Sequence, residues 1–368
     1  MKIVVDALPL TKSLTGVGKY IYEISKRVDQ DLLFWYGGFV SQRMFEPKEG
    51  GVFTHVIESA IAVRAVKKTL RIMVGLLKNK DVYDLYWEPN YIFQKGIRSK
   101  KKVVTIHDMS IIRYPQWHPK ERVKYFSKHL FSSIDEADMI ITDSCFSKQE
   151  IVELSGCEES KIEVIHLGAD HNLYKPLAKE KLKHLTDRFA LEDDFVLFVG
   201  SIEPRKNLLN LLKAYMKLPE PLKKRYPLVL AGFKGWENKE IMQIIEQENI
   251  RYLGYVSEND LVGLYNLASV FVYPSFYEGF GLPPLEAMSC QTATIVSDVA
   301  SLPEVCGDAA LYIDPYDVDD IALKLQFLLE DRKKSESLAE AGRKRALQFD
   351  WEKTADKHME LFERVVRC

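Results

Sequence analysis

The stretch FVGSIEPRKNLLNLLKAY, residues 198–215, decides the fold. An apolar run ends near Ser201, a turn carries Pro204, and leucines then follow at helical spacing. The predicted helix begins at about Asn207, a residue type that favours the N-cap position. Because a continuous apolar run is typical of a strand buried on both faces, the stretch indicates a strand that leads directly into a helix of a parallel-sheet protein.

The same alternation extends along the whole chain. Apolar, β-rich runs occur in the first half at 2–8, 31–37, 84–89, 102–108, 138–144 and 161–168. In the second half they occur at 194–201, 227–233, 250–256, 269–275, 292–299 and 309–315. Helical patterns such as 18–28 and 119–134 lie between them. The alternation predicts the α/β class with two doubly wound parallel sheets.

Two domains are expected, because 368 residues with 46% hydrophobic composition are enough for two cores of ordinary size. We place a Rossmann-like N-terminal domain at 1–172 and a second at 173–350, since the strand pattern gives way to polar residues and Pro176 before Phe195. Ligands of open α/β sheets bind at the carboxyl ends of the strands. Two such sheets facing each other would form a cleft, and the strand ends are the expected place for function.

Composition argues against several classes of function. A formal net charge of −2 argues against a nucleic-acid-binding protein, which normally carries a strong excess of Lys and Arg. The five cysteines show neither CxxC spacing nor a cluster of histidines, so no zinc site or disulfide framework is indicated, and a reducing cytoplasm fits best. The N-terminal MKIVVDALPL indicates a strand, and no apolar segment is long enough to cross a bilayer.

The segment 62–80 is basic and contains no acidic residue. Its apolar residues fall close to one face of a predicted helix, with Arg and Lys elsewhere. Such a helix could lie on an anionic membrane surface. An ordinary helix packed on its sheet with a solvated basic face explains the pattern equally well, and both interpretations stay open.

Arg205 and Lys206 precede the predicted helix of the opening stretch. Cations are disfavoured at the positive end of a helix dipole, so an anionic partner is expected there. A diphosphate is a natural candidate, since helix N-termini and Arg or Lys donors together form anion sites. The alternative is that both side chains are solvated and pair with Glu203.

The segment SFYEGFGLPPLEAMS, 275–289, has the same form. Its glycines allow a close backbone approach and its prolines can begin a helix, so the amides of Phe280, Gly281 and Leu282 are expected to point out of the helix start. We expect Glu286 in the first helical turn, where the dipole stabilises a carboxylate. Glu278 lies on the preceding loop without such an explanation, and we expect it to accept hydrogen bonds from ligand hydroxyls.

Two features of the first half are less specific. Gly16 and Gly18 in TGVGKYIYEI lie at a predicted helix start, but without a compact GxGxxG turn they are weak evidence for NAD; a phosphate contact and a plain turn are about equally supported. His107 ends a predicted strand, where a structural and a functional role are evenly balanced. Asp108 could cap the next segment, and Ser144 or Ser147 could cap the following helix.

Taken together, these segments resemble the retaining nucleotide-sugar glycosyltransferases of family 4, which have the GT-B architecture. The similarity covers nearly the whole chain and includes TGVGKYIYEIS, TIHDMSIIRYPQWHP and IITDSCFSKQEI besides the two segments above. Its most specific elements are the Arg205–Lys206 turn and the pair Glu278 and Glu286, separated by seven residues as in the family.

The resemblance implies a role for each matching position. Arg205 and Lys206 would bind the donor diphosphate and stabilise the leaving nucleotide, which is electrostatic catalysis. Glu286 would hold the ribose hydroxyls. Glu278 and the amides of Phe280, Gly281 and Leu282 would contact the transferred sugar.

Further positions complete the implied site. Gly16 would approach the diphosphate, His107 would contact the sugar near the reacting carbon, and Val256 in the loop LGYV would lie near the nucleobase. The family needs no divalent metal, and DVDD at 317–320 lies outside the expected cleft. A covalent route through Glu278 is disfavoured, because the resemblance places this carboxylate beside the sugar hydroxyls. The segment 351–368 resembles a C-terminal helix that packs back on the first domain.

The resemblance thus implies a cytoplasmic, peripheral glycosyltransferase that moves a hexose from a nucleotide diphosphate sugar to a glycan or lipid-linked acceptor. The segments GVGKYIYEI and HDMSIIRYPQWHP look most like bacterial mannosyltransferases of surface polysaccharide or lipopolysaccharide synthesis, so GDP-mannose is the first donor expected. A UDP-sugar is the alternative within the fold. An NAD-dependent oxidoreductase and a non-catalytic sugar-binding protein are more distant alternatives.

Overall fold

The structure, a computed structural model, describes residues 1–11, 16–28, 32–37, 39–45, 81–191, 194–236 and 238–367. The chain divides into two compact units. The first unit comprises Met1–Ile112, Lys120–Leu167 and Trp351–Cys368, and the second comprises Arg113–Pro119 and Gly168–Asp350. The basic segment 62–80 lies outside the described residues.

The first unit is built on a seven-stranded sheet. Its strands are β1 Ile3–Asp6, β2 Leu32–Trp35, β3 Val40–Ser41, β4 Tyr83–Glu88, β5 Ser99–Thr105, β6 Met139–Thr142 and β7 Ile162–Val164. Their order is β3-β2-β1-β4-β5-β6-β7, and the pairs are parallel apart from antiparallel β2 and β3. All six strands predicted for this half are confirmed. The edge strand β3 was not predicted, because two residues carry no periodicity.

The second unit contains a six-stranded parallel sheet. Its strands are β8 Val196–Val199, β9 Leu228–Ala231, β10 Arg251–Tyr252, β11 Val270–Tyr273, β12 Thr294–Ser297 and β13 Leu311–Ile313. Their order is β10-β9-β8-β11-β12-β13, and each of the six lies within a predicted run. The strands β8, β9, β11 and β12 are fully buried, which is what their unbroken apolar composition indicates.

Helices connect the strands of both sheets. They are α1 Gly16–Ser25, α2 Ser110–Arg113, α3 Lys120–Glu136, α4 Cys145–Ser155, α5 Lys183–Phe189, α6 Leu208–Met216, α7 Glu220–Arg225, α8 Lys239–Gln247, α9 Glu258–Leu267, α10 Leu282–Ser289, α11 Leu302–Cys306, α12 Val318–Glu330, α13 Arg332–Ala346 and α14 Trp351–Arg367. The helical patterns predicted at 18–28 and 119–134 correspond to α1 and α3. Within the described ranges, none of the helices combines the length and apolarity required to span a bilayer.

Each sheet has a topological switch point, where successive connections leave a strand in opposite directions. In the first sheet β1 lies between β2 and β4, and in the second β8 lies between β9 and β11. The crevice beyond the carboxyl ends of such strands is the general ligand site of open α/β sheets. The residues that follow β1, β4, β8 and β11 are therefore the first to consider for function.

Two chain segments belong to a different compact unit from the residues next to them in sequence. The last helix, α14, belongs to the first unit, where the hydroxyl of Tyr20 lies 2.6 Å from His358 Nε2. Residues 113–119, which the sequence assigned with the rest of 1–172, belong to the second unit. The Trp117 ring stacks on Phe276 at 5.7 Å, and its carbonyl accepts a hydrogen bond from Trp236 Nε1 at 2.9 Å.

Candidate active site

The turn that carries the cation pair follows β8 at the switch point of the second sheet. Residues Pro204–Lys206 form a 3-10 turn, and α6 begins at Leu208, as predicted. The prediction that the Asn207 side chain caps this helix is wrong. Asn207 has a left-handed backbone (φ 56°), and its Nδ2 donates to the carbonyls of Pro274 (2.9 Å) and Pro315 (2.7 Å) instead. The asparagine therefore ties the turn to the loop after β11.

Arg205 and Lys206 are held by carboxylates. Arg205 Nη1 donates to Glu278 Oε2 at 2.9 Å, and its Nη2 donates to Glu203 Oε1 at 3.1 Å. Lys206 Nζ donates to Glu278 Oε1 at 2.7 Å and to the Tyr273 hydroxyl at 2.6 Å. The side chains of Arg205 and Lys206 are only 15% and 10% exposed. The alternative of two solvated cations is therefore wrong, although the predicted pair with Glu203 exists.

Glu278 is the centre of this cluster. Burial disfavours its charged form, but the positive charges of Arg205 and Lys206 stabilise that form by more, and the pKa of Glu278 is lowered to about 2. Conversely, burial and the neighbouring charge of Arg205 lower the pKa of Lys206 below its usual value. The sequence offered no structural explanation for Glu278; the structure supplies one, because each of its oxygens accepts a hydrogen bond from a buried cation.

The loop after β11 reaches its helix through a glycine with an unusual backbone. Gly281 has φ 111°, and a Cβ at this position would lie 2.9 Å from Leu302 Cδ2. Phe280 before it is buried, with its ring edge-on to Phe349 at 5.8 Å, and Leu282 is the first residue of α10. A helix follows the glycines as predicted, but it begins at Leu282, one residue before the prolines, and the glycine is required by the protein itself.

Glu286 lies in α10, but not in its first turn. The helix begins at Leu282, which places Glu286 in the second turn, so the explanation of this carboxylate by the helix dipole is wrong. The side chain is buried and its Oε2 accepts a hydrogen bond from the Tyr265 hydroxyl at 3.2 Å. A tyrosine of α9 therefore orients the carboxylate.

Val256 lies in the loop that follows β10 and is partly exposed. It precedes Ser257, whose side chain caps α9 by accepting from the Asp260 amide at 3.2 Å. Beside it in sequence, Tyr255 stacks on Phe233 at 4.7 Å between ring centroids, and both rings are about half exposed. This aromatic pair follows β9 and β10 at the carboxyl end of the sheet, and the sequence reasoning missed it.

His107 lies two residues beyond β5 in the first unit, as predicted. Its Nδ1 is 2.7 Å from Asp143 Oδ2, and its Nε2 is 3.0 Å from the Pro89 carbonyl. Because a carbonyl only accepts, Nε2 carries a proton. Burial opposes the charged imidazole, but the charge of Asp143 and the hydrogen bonds raise the pKa of His107 above its usual value. Burial likewise raises the pKa of Asp143.

Asp143 was missed by the sequence reasoning, although a signal for it exists. It follows β6, the neighbour of β5, and the register that pairs Thr105 with Ile141 brings the two strand ends together. Two smaller predictions are confirmed. Asp108 Oδ1 accepts from the amide of Ser110 at 2.9 Å, and Ser144 caps α4.

Gly16 is the first residue of α1 and is exposed. Apart from its chain neighbours and the backbone of the helix itself, no heavy atom of the described residues would lie within 4 Å of a Cβ at this position. The protein's own packing therefore does not require glycine here, in contrast to Gly281. Asp317 of the DVDD segment is a helix cap, since its side chain accepts from the amides of Asp319 and Asp320 at the start of α12.

The two α/β sheets, parallel apart from one antiparallel edge pair, and the buried Arg-Lys-Glu cluster at the switch point of the second agree with a glycosyltransferase of the GT-B fold. Residues 183–345 match the family model "Glycosyl transferases group 1". The chain is 37% identical to the O-antigen chain mannosyltransferase B of Escherichia coli, over 96% of this chain and 97% of the relative. The chain belongs to the glycosyl transferases group 1 family.

Solved structures share the fold at low sequence identity. The sucrose-phosphate synthase from Thermosynechococcus elongatus superposes with a TM-score of 0.75 and 19% identity, with 99% of each chain covered. Anabaena HepE, in a complex with UDP and glucose, gives a TM-score of 0.73 and 19% identity, again with 99% of each chain covered.

Proposed function

We propose that this glycosyltransferase moves a mannosyl group from GDP-mannose to a glycan or lipid-linked acceptor during the synthesis of a bacterial surface polysaccharide. The observation that carries this proposal is the 37% identity to an O-antigen chain mannosyltransferase along essentially the whole of both chains. The donor-side chemistry is supported separately by the cluster at Arg205 and Lys206.

Arg205 and Lys206 are proposed to bind the donor diphosphate. As the bond from the sugar to the phosphate breaks, negative charge grows on the departing nucleotide, and two buried cations before a helix start stabilise it strongly. The cations are already fixed by Glu278, so little reorganisation accompanies this step. The charges of the diphosphate would also favour the protonated form of Lys206, which opposes the effect of its burial.

Glu278 is proposed to orient the cations and to contact a sugar hydroxyl rather than to attack the sugar. A carboxylate with a pKa of about 2, whose oxygens each accept from a cation, is a weak nucleophile. The resemblance implies a reaction that retains the anomeric configuration, and we propose that it does so without a covalent intermediate on Glu278. The amides of Phe280, Gly281 and Leu282 at the start of α10 are proposed to hold the same sugar.

The other contacts to the donor are proposed from the resemblance. Glu286, oriented by Tyr265, would accept hydrogen bonds from the ribose hydroxyls, and the loop of Val256 would lie near the nucleobase. In the first unit, Gly16 would contact the diphosphate and His107 the sugar. The start of α1 is suited to such a contact, because Gly16 is exposed and lacks a side chain that could obstruct an approaching phosphate.

The decisive experiment compares turnover of GDP-mannose, UDP-glucose and UDP-N-acetylglucosamine by the purified protein. We expect turnover with GDP-mannose, and its loss in Lys206→Ala. The matched control is Lys213→Ala, a half-exposed lysine of the same unit, which should behave as the wild type. Turnover of a UDP-sugar alone would contradict the choice of donor, and full activity of Lys206→Ala would contradict the diphosphate site.

Two attributes of the proposed enzyme have their own tests. Metal-independent transfer predicts that activity persists in excess EDTA. Peripheral association with the cytoplasmic face of a membrane through residues 62–80 predicts flotation with liposomes that contain anionic lipid. Equal recovery with neutral liposomes would argue against a role for these cations.

A further inference from the structure

A pair of buried carboxyl groups lies at the switch point of the first sheet. Asp6 ends β1 and Glu88 ends β4, and the register that pairs Val5 with Trp87 places the two side by side. Both residues are buried. Two neighbouring buried carboxyl groups disfavour carrying two negative charges, so each favours the protonated form of the other. Burial raises the pKa of both groups, that of Asp6 to about 7.

Glu88 also holds the loop 89–94, directly at its beginning and through Tyr86 at its end. Its Oε1 accepts from the Asn90 amide at 3.0 Å, and its Oε2 accepts from the Tyr86 hydroxyl at 2.7 Å. The Tyr86 hydroxyl in turn accepts from the Gln94 amide at 3.1 Å. One buried carboxyl group and one tyrosine therefore fix the beginning and the end of this loop.

The loop contains a strained turn that needs such support. Tyr91 has φ 68°, and the Ile92 amide donates to the Asn90 carbonyl at 2.8 Å, which closes a three-residue turn in its rare form with positive φ. A backbone of this kind is strained in a residue other than glycine. The Tyr91 amide also donates to the carbonyl of Thr105, the last residue of β5, at 3.0 Å.

The strained loop supplies two of the groups that surround His107. The Pro89 carbonyl accepts from His107 Nε2 at 3.0 Å, and the Tyr91 ring lies edge-on to the imidazole at 5.6 Å. Asp143 at Nδ1 and the ring of Tyr20 at 5.0 Å complete the surroundings. The imidazole cannot rotate without losing the hydrogen bonds at both nitrogens.

We propose that Glu88 is a positioning residue for His107. Its carboxyl group holds the loop 89–94 in the strained turn, so that the Pro89 carbonyl and the Tyr91 ring fix the orientation of the imidazole and the proton on Nε2. The consequence for turnover rests on the proposed function of His107. The consequence for the imidazole itself does not, and the two can be measured separately.

The test compares Glu88→Leu with Glu88→Gln in the full chain. Glutamine keeps an oxygen for the Asn90 amide and a donor for Asp6, so Glu88→Gln should retain activity near that of the wild type. Glu88→Leu should lower kcat for sugar transfer by about 10- to 100-fold with little change in the donor KM, as expected for a displaced catalytic group. Glu23→Leu removes another buried carboxylate of the same unit, which pairs with Lys26 and Arg27, and is the matched control for a general loss of packing.

The independent readout is the imidazole signal of His107 in protein labelled with 15N-histidine, identified by its loss in His107→Gln. We expect this signal to move in Glu88→Leu and to stay in place in Glu88→Gln and Glu23→Leu. An unmoved signal in Glu88→Leu would overturn the positioning role. A moved signal in a protein that turns over none of the three donors would support positioning while refuting the proposed function.

If Glu88→Leu fails to fold, Tyr86→Phe gives a second test. This variant removes the hydroxyl that connects the Gln94 amide to Glu88 and leaves the carboxyl group in place. The His107 signal should then move in Tyr86→Phe, and an unchanged signal would overturn the proposal.

Discussion

Replacing Glu278 by glutamine tests the central electrostatic feature of the site. The carboxylate lies between two buried cations, and its pKa is about 2 in the folded protein against an ordinary value of 4.5. This difference corresponds to a contribution of the ionised group on the order of 3 kcal/mol to the free energy of unfolding at neutral pH. Glu278→Gln should lose about this much, because Arg205 and Lys206 stay buried without their shared counter-charge.

The dependence on pH follows from the direction of the shift. A carboxyl group with a lowered pKa contributes its stability above pH 4.5, and the contribution is lost as the pH falls toward 2. The difference in unfolding free energy between wild type and Glu278→Gln should therefore be constant from pH 7 to 5. Below pH 4.5 it should shrink by up to about 1.4 kcal/mol per pH unit.

Urea unfolding followed by circular dichroism measures both quantities. The matched control is Glu336→Gln on α13, an exposed carboxylate paired with Arg332, which should change stability by less than about 1 kcal/mol. Inorganic pyrophosphate should stabilise Glu278→Gln more than the wild type, because an added anion replaces the lost counter-charge. Equal stability of Glu278→Gln and wild type across this pH range would refute the reasoning.

Three further changes have definite expected outcomes. Gly281→Ala forces a side chain onto φ 111° and within 2.9 Å of Leu302, so thermal unfolding should show a loss of about 1–3 kcal/mol. In Gly16→Ala the added methyl group contacts no packed atom of the described residues, so the free energy of unfolding should stay within about 0.5 kcal/mol of the wild-type value. The donor KM should rise if the backbone contacts a diphosphate, because the methyl group would obstruct that contact, and an unchanged KM would argue against it. His358 is buried and its pKa is lowered to about 4, so this group alone should contribute a loss on the order of 3 kcal/mol as the pH falls from 6.5 to 4, and the difference in unfolding free energy between wild type and His358→Phe in urea titrations should change by this amount over that range.

Strand positions were predictable because they depend on local composition. An apolar run such as 194–201 can bury all of its side chains as a strand covered on both faces, and β8 lies within it. The positions of Arg205, Lys206 and His107 followed directly, since a residue after a parallel strand lies at the carboxyl edge of the sheet.

The contacts between distant residues were not predictable in the same way. Glu278 is 72 positions from Lys206, and nothing in either segment alone specifies the ion pair that joins them. Glu286 was placed in the wrong turn because the left-handed backbone of Gly281 lets α10 begin one residue before the prolines. A shift of one residue at a helix boundary is enough to remove a side chain from the reach of the dipole.

Residues with unremarkable sequence surroundings were missed for the same reason. Asp6 and Glu88 end ordinary strands and Asp143 directly follows one, and their importance depends on which strands are neighbours in the sheet. Strand order is a global property, which separate local patterns do not encode. Once the order β1-β4-β5-β6 is known, all three carboxyl groups fall along the same edge as His107.

The return of α14 to the first unit has a consequence for folding during translation. The second unit is almost continuous in sequence, from Gly168 to Asp350, so nearly all of its residues are available before α14 is synthesised. The first unit, in contrast, lacks the buried Trp351, His358 and Phe362 until α14 has been synthesised after the second unit. Although domains usually fold in the order of their synthesis, here the unit that emerges first is the last to be completed. Until α14 is synthesised, Trp87 and Tyr20 lack the contacts that they make with Phe362 and His358 in the folded protein.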